Sequence, residues 1–532
     1  MRWRRAIRCP SAEALVIAAC AAIALSLRLY QLARPGYLLG VTEYDDGVLF
    51  GNALRLVTGV IPYRDFAMVQ PPGSMLLMAP AALLAKVGGT AWGLAACRVL
   101  TASADTANVV LIGLLVRHRG PLTVGVASGL YAVDPDAIAA AHTLLLEPWL
   151  TMFCLAGALM IFDGDRMTAD TRRLVLGGAS FGFGAAVKIW ALVPLGVAGL
   201  LLVATGRRRR RLRPAAALAG GAALGLGVPL LPFVALAPGA VARGVVIGQE
   251  VRNADGHGSP IGRLADLAGL HLLPVRVDNG LSLLIIGVAM AACYAAAGIR
   301  APRHAARRRQ AALDTYALTG ALAVTAMLLW PRLYYSHYGA FDGPFLALVI
   351  ALPAGLLSAR LGTRGTPGGR AAVAALAVLA LVAAGTLQFQ AESRLRGIQA
   401  AAAAAADRLI PSGACVLTND AAYTVAVDRF YSDIKGCPPM VDSFGTLIAM
   451  ATGRSRHVSA SVLRPVVELW RTDLGRAGYV WLTGNTAGQI PWDRQLYGYF
   501  RGHFRLIGLA QPHWSGRFIP RPGLYVRVRI VR

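Results

Sequence analysis

Repeated apolar stretches of bilayer-spanning length, separated by short breaks that carry arginine, run from Ala14 to Phe389 and constrain this chain more than any other feature. A helix needs about 20 mainly apolar residues to cross the hydrocarbon layer. Within that layer every backbone polar group must find its partner in the same segment, which selects helices. With 56% hydrophobic and only 15% charged residues, the chain lies far from soluble proteins, where about a quarter of residues are charged. A soluble enzyme, a disordered chain and a nucleic-acid module are excluded.

The charge excess of 53 Lys+Arg over 27 Asp+Glu fits the same picture. Clusters such as Arg207–Arg211 and Arg300–Arg309 fall between apolar segments, where the positive-inside rule places cytoplasmic loops, so they orient the chain and do not point to nucleic acid. With Met1-Arg-Trp-Arg-Arg inside and Ala14–Tyr30 as an uncleaved anchor, the breaks Arg117–Gly120, Asp163–Arg173, Arg207–Arg213, Arg300–Arg309 and Ser358–Arg370 all face the cytoplasm. This requires Ser74–Val87, about 14 residues long, to remain in the first external loop, since it is short for a span.

The expected spans are 14–30, 95–116, 121–140, 148–162, 174–190, 191–204, 215–237, 279–298, 311–330, 339–357 and 371–389. These make about eleven, an odd number, so with the N-terminus cytoplasmic the C-terminus emerges outside. The expected fold is a polytopic α-helical membrane module, residues 1–392, followed by a small extracytoplasmic α/β domain, residues 393–532. In the latter, Ala414–Thr418 and Gly478–Thr483 read as buried strands, Ser461–Leu474 as a helix and Leu524–Val531 as a half-exposed strand, after an Ala-rich stalk at Gln399–Ala406. Cys415 and Cys437 lie in this part and can form a disulfide there. The cysteines in or beside apolar segments read as packing residues, and none shows C-x-x-C spacing.

Chemistry concentrates in the first external loop, 31–94. It opens Val41-Thr-Glu-Tyr-Asp-Asp-Gly, three carboxylates just beyond a membrane helix. If residues 45–57 are helical, Asp45, Asn52 and Arg55 share one stripe and Leu49, Phe50, Ala53, Leu54 and Leu56 cover the other side. Such a helix would lie on the membrane with its polar stripe toward a cavity. An Asp beside a second acid at the lipid boundary suits general-base work, while a solvated loop with an N-capping Asp is the plainer alternative.

The loop continues through Ile61-Pro-Tyr-Arg-Asp-Phe66 to Gln70-Pro-Pro-Gly73. An acidic pair, a short helix, a Pro-Tyr turn and a Pro-Pro in this order resemble the first loop of the GT-C membrane glycosyltransferases. The likeness is nearest to the protein O-mannosyltransferase and aminoarabinose transferase branch and strongest over residues 30–165. Asp46 stands where Glu is usual, and Gln70 where His is usual.

The resemblance implies transfer of a mannose- or arabinose-like sugar from a polyprenyl-phosphate lipid to a glycan or glycolipid of the cell envelope, with inversion. Its setting is the outer face of a bacterial cytoplasmic membrane, an origin that the Ala- and Arg-heavy composition also suggests. It makes Asp45 the first choice for the base and Asp46 the second, with Glu43, Arg55, Tyr63, Arg64 and Asp65 of the same loop as substrate contacts. Arg98 is similar to a donor-phosphate ligand, although an Arg snorkelling to the interface is the alternative. His142 and Glu147 fall in the second external loop, where the family places another acid. Arg332, Tyr335 and His337 lie in a segment resembling the family's headgroup contacts, where an aromatic belt explains the tyrosines equally well.

Lys188 and Asp105 are charges inside spans and so functional by default. Lys188, near the outer face, suits a phosphate, and Asp105 suits an internal pair. No metal or other cofactor is expected, because Arg and Lys can neutralise one phosphate and no tight ligand cluster is visible. The segment Gln249–His257 reads as a lid or an ordinary loop. Trp470, Trp481, Trp492 and Trp514 read as core residues or sugar-stacking rings. The competing functions are a transporter or lipid-linked-glycan flippase, and a binding protein that lacks the chemistry.

Overall fold

A computed structural model of the protein describes residues 10–205, 212–248, 259–270, 278–296, 312–330, 334–363, 367–395, 400–430, 436–450, 460–484, 489–510 and 518–528. Arg207–Arg211, Gln249–His257, Arg300–Arg309, Arg332 and Trp514, singled out above, lie outside the described residues.

The first half is helical: α1 (Ala12–Leu32), α2 (Tyr44–Val57), α3 (Gly73–Gly88), α4 (Thr90–Val116), α5 (Pro121–Ala132), α6 (Pro135–Ala141), α7 (Glu147–Ile161), α8 (Thr171–Val187), α9 (Leu192–Thr205) and α10 (Leu212–Leu236). Further apolar helices span Asn279–Ala296, Ala312–Leu329, Gly339–Thr363 and Pro367–Ser393. Six helical segments among the described residues are long and apolar enough to cross a membrane. Among the described residues each segment expected to span is mainly helical, although several are shorter than a full crossing and 174–190 breaks at Lys188. The 121–140 stretch divides at Val133–Asp134, where Asp134 caps α6 by accepting from the Ala137 N–H (2.8 Å) and Pro135 takes the first helical position.

Two devices hold the helices. In the first, α8 and α10 pack backbone to backbone through Gly178, Gly182, Gly221 and Gly225; a Cβ on Gly178 would lie 2.0 Å from the Leu218 carbonyl oxygen. Small residues four apart permit this approach where lipid offers no hydrophobic drive between helices. The second is a fully buried cluster: Asp105 of α4 accepts from Arg28 Nε of α1 (2.6 Å) and from the Tyr131 hydroxyl of α5 (2.6 Å). Asp105 is thus paired internally.

Helix α3 stays on one side of the molecule. Gly73 at its start packs against Ala186 and Val187 at the end of α8, and Gly89 just past its end packs against Asp428 of the C-terminal part. Its 16 residues therefore return to the face that carries the C-terminal sheet.

That sheet has the order β3-β4-β6-β5, after a small hairpin β1 (Phe162–Asp163) and β2 (Arg166–Met167). Strands β3 (Val416–Thr418) and β4 (Tyr479–Leu482) run parallel, and β5 (Phe504–Gly508) and β6 (Gly523–Arg527) complete it antiparallel. The helix expected at Ser461–Leu474 is Ala460–Arg476. Trp470 and Trp481 are fully buried in this part, so their rings serve packing. Trp492 packs edge-on against Phe500. Cys415 and Cys437 are disulfide-bonded, with Cα atoms 5.4 Å apart.

The C-terminal part does not stand apart from the membrane helices. Ala421, Val425, Phe430 and Val441 share one hydrophobic core with Leu49, Phe50, Ala53, Met78 and Leu94 of α2–α4. Helix α2 is therefore roofed over. Its Asn52 and Arg55 are buried, and Arg55 donates to the Pro438 carbonyl (2.9 Å) with its guanidinium 4.8 Å from the Phe430 ring centre. This corrects the expectation of a polar stripe open to a cavity: only the N-terminal end of α2, as far as Leu49, reaches one, because the C-terminal part covers Asn52 and Arg55.

Candidate active site

Glu43 caps α2, accepting from the Tyr44 N–H (3.0 Å), and Asp45 and Asp46 occupy the first turn, where the helix dipole favours carboxylates. The two neighbours then diverge. Asp46 is fully buried. Its Oδ2 pairs with the Arg98 guanidinium at 2.5 Å, and its Oδ1 accepts from the Leu144 N–H (2.7 Å). Asp45 points the other way and lines a cavity of about 460 Å³.

Four regions of the chain build this cavity. The first loop gives Glu43, Tyr44, Asp45 and Gln70; the start of α7 and the end of α8 give Glu147, Lys188 and Trp190; the 335–338 turn gives Tyr335, His337 and Tyr338; and the C-terminal part gives Asp420, Asp442, Phe444 and Gln489. Lys188 interrupts the helical chain between α8 and the next turn with extended backbone, φ −152° and ψ 128°. Its ammonium donates to Glu147 Oε1 (2.5 Å) and lies 3.5 Å from the Trp190 and 4.3 Å from the Tyr338 ring centres. Glu147 is buried and its Oε2 has no hydrogen-bond partner among the described residues.

Several expected site residues lie elsewhere. Arg98 is fully buried and away from the cavity lining. Besides Asp46 it donates to the carbonyls of Tyr37 (2.6 Å) and Leu38 (2.9 Å) and to Thr42 Oγ1 (2.9 Å). Its two terminal nitrogens fix the first loop to α4 while its Nε has no hydrogen-bond partner among the described residues, so in this structure it braces the loop and does not line the cavity as a phosphate ligand would. Tyr63 sits at φ +66° in a tight turn closed by its N–H to the Phe66 carbonyl (2.9 Å), and its hydroxyl donates to the Gln70 carbonyl. Arg64 and Asp65 form a solvent-facing pair at 2.8 Å, and Asp65 also accepts from the Ile61 N–H (2.7 Å). These three shape the loop that presents Gln70. The His142 ring packs on Tyr37 with centres 4.8 Å apart, and burial pushes its pKa down to about 4, so it is neutral.

Asp420 and Asp442 were missed in the sequence. Asp420 follows strand β3, caps the helix Ala421–Ala426 by accepting from the Ala422 N–H (3.0 Å), and meets the first turn of α2 because Gly47 packs against the Ala421–Ala422 backbone. Burial, then the carboxylates of Glu43, Asp46 and Asp45, push Asp420 up to about 7. Burial followed by Asp46 also raises Glu43. Asp442 accepts from the Tyr44 hydroxyl (2.8 Å) and from the Gly445 N–H (2.7 Å). The arrangement can hold a polar ligand between an acid-rich wall and a cation–aromatic wall.

The fold is shared with solved membrane enzymes. ArnT from Cupriavidus metallidurans, determined bound to undecaprenyl phosphate, is similar with a TM-score of 0.57 and 14% identity over 96% of this chain and 97% of that one. Its apo state gives a TM-score of 0.57 and 14% identity over 97% and 98%. The oligosaccharyltransferase of Archaeoglobus fulgidus, solved with Zn and sulfate, gives 0.51 and 14% over 91% and 69%. The chain has the GT-C fold. No family model matches the sequence. No curated protein matches it. On the GT-C fold, the cavity of this chain lies where the first loop, the ends of α7 and α8 and the C-terminal sheet converge.

Proposed function

We propose that the chain is an inverting glycosyltransferase of the outer face of a bacterial cytoplasmic membrane, taking a mannose- or arabinose-like sugar from a polyprenyl-phosphate donor. In this reading about eleven helices cross, the N-terminus is cytoplasmic, and residues 393–532 form an extracytoplasmic α/β domain. The undecaprenyl phosphate bound to the ArnT of similar fold supports a donor of this class. The acceptor is a glycan or glycolipid of the envelope.

The observation that carries the proposal is that Asp45 and Lys188 line one cavity. The acceptor hydroxyl loses its proton to the Asp45 carboxylate as its oxygen attacks the anomeric carbon. The bond from that carbon to the phosphate oxygen breaks, and polyprenyl phosphate leaves with the electron pair. A single in-line displacement inverts the anomeric centre. Positive charge near the leaving phosphate lowers the barrier, and Lys188 supplies it in this scheme. Glu147 holds the Lys188 ammonium in place. Asp46 acts through Arg98 to fix the turn that aims Asp45 and is a positioning residue.

The test is incubation of the purified protein with labelled polyprenyl-phosphate mannose or arabinose and an envelope glycan fraction. Release of polyprenyl phosphate with label on the glycan supports the reading, and intact donor with every sugar overturns it.

A further inference from the structure

The C-terminal wall of the cavity is organised around one buried side chain, Asn419. Its Oδ1 accepts from the Thr483 N–H (2.8 Å). A backbone N–H can only donate, so this contact fixes which end of the Asn419 amide is oxygen. Its Nδ2 must then donate, and it does so to Thr483 Oγ1 (2.9 Å) and to Gln489 Oε1 (2.5 Å). With its oxygen so engaged, Gln489, which lines the cavity, keeps its amide NH2 as its hydrogen-bonding group for a ligand. The Asn419 carbonyl accepts from Ser443 Oγ (2.7 Å), next to Asp442 and Phe444, and Asp420 follows Asn419 directly. One residue thus fixes three segments that are distant in sequence.

The wall presents carboxyl oxygens from Asp420 and Asp442, an amide from Gln489 and the aromatic side chain of Phe444. Saccharide hydroxyls both donate and accept, so mixed donors and acceptors match them, while an aromatic ring matches the C–H face of a pyranose or furanose. The local charge narrows the choice. Glu43, Asp45, Asp420 and Asp442 line the cavity together, and its Lys188 ammonium is paired with Glu147. A phosphate- or carboxylate-bearing acceptor beside Asp442 would meet like charge in a partly desolvated site, which weakens its binding, whereas the donor phosphate meets the Lys188 ammonium. An ammonium group would face the Gln489 donors, and Asp442 already accepts from Tyr44 and Gly445.

We infer that Asp420, Asp442, Phe444 and Gln489 form the acceptor subsite and that it takes an uncharged, polyhydroxylated saccharide and discriminates against anionic acceptors. This deepens the proposed transferase reading and rests on it only for the word acceptor; the binding itself stands alone.

The experiment is saturation-transfer NMR and competition binding on the full-length protein in nanodiscs, without donor lipid. The probes are uncharged tri- to hexasaccharide fragments of mannan, arabinan, galactan and glucan, each paired with its 6-phosphate (5-phosphate for arabinan) and with an amino-substituted form. At least one neutral fragment binds, and its phosphorylated form binds at least about tenfold more weakly. Gln489→Ala weakens the neutral fragment about five- to tenfold, the range of one lost hydrogen bond. Asp442→Asn narrows the gap between neutral and phosphorylated forms. No binding by any neutral fragment, equal binding of the phosphorylated form, or tighter binding of the amino form overturns the inference. Failure of sugar transfer in the donor assay bears on the transferase reading and leaves these binding results intact.

Discussion

Gly47 of the first loop and Ala422 of the C-terminal part touch backbone to backbone: a Cβ on Gly47 would lie 1.9 Å from the Ala422 nitrogen. The contact sets the first turn of α2, with Glu43 and Asp45, beside Asp420, and so joins two regions some 375 residues apart into one cavity.

Gly47→Ala therefore pushes the C-terminal part off α2. Transfer falls at least about 100-fold, the cost of a misplacement of about 1 Å at a reacting centre, while circular dichroism shows the helical content intact. Gly498→Ala, at a helical position with nothing within 4 Å of the added Cβ, leaves activity unchanged and stabilises slightly, by about 0.5–1 kcal/mol.

The acidic pair separates into two phenotypes. Asp45→Asn lowers kcat by about 10²–10⁴, the range for a lost general base, with little change in thermal unfolding. Asp46→Asn leaves the buried Arg98 without its counter-charge, and Arg98→Ala does the reverse. Each lowers stability by about 3–5 kcal/mol. Joint kinetic and thermal-unfolding measurements on the three variants distinguish catalysis from positioning.

Asp420 makes stability depend on pH with a definite sign. Its pKa is pushed from an ordinary 3.8 to about 7, so between these values the folded chain holds a proton that the unfolded chain has released. The stability linked to this site is fully present below about pH 4 and is lost progressively as pH rises to about 7. Asn keeps the helix cap and removes the titration. Relative to the parent protein, Asp420→Asn gains thermal stability between pH 5 and pH 8, and a constant offset across that range would contradict the assignment.

The Cys415–Cys437 bridge closes a separation of 22 residues that contains Asp420 and leads to Pro438, the partner of Arg55. Cys415→Ser costs about 3 kcal/mol by loop entropy. A membrane-impermeant reductant applied to right-side-out vesicles lowers the unfolding temperature by the same amount as the substitution. No effect from outside, with a full effect after permeabilisation, would place this part on the cytoplasmic side.

The apolar runs made the membrane class and the helices legible, because bilayer thickness and backbone satisfaction leave few alternatives. The strands at 416–418 and 479–482 and the helix at 460–476 followed from periodicity in the same way. The loop helix was legible too, but its surroundings were not. Whether the stripe of Asn52 and Arg55 faces water or another part of the chain depends on contacts from residues near 430–441, and local spacing carries no trace of them. For the same reason Arg98 read as a phosphate ligand. That reading rests on its likeness to a family arginine, and its pairing with Asp46, 52 residues away, leaves no local trace in the sequence. Asp420 had one visible signal, an acid directly after a buried strand, at the carboxyl end where parallel sheets gather ligands. Asp442 and Gln489 had none, because they are placed through Tyr44 and Asn419.

The central claim is that Asp45, held in a cavity completed by the C-terminal part, removes the acceptor proton during sugar transfer. Its most direct test is single-turnover transfer from a labelled polyprenyl-phosphate sugar by the parent protein and by Asp45→Asn, with donor binding measured on both. The account predicts unchanged donor binding and a transfer rate at least about 100-fold lower in the variant. Equal transfer rates, or loss of donor binding with no change in the chemical step, would contradict it.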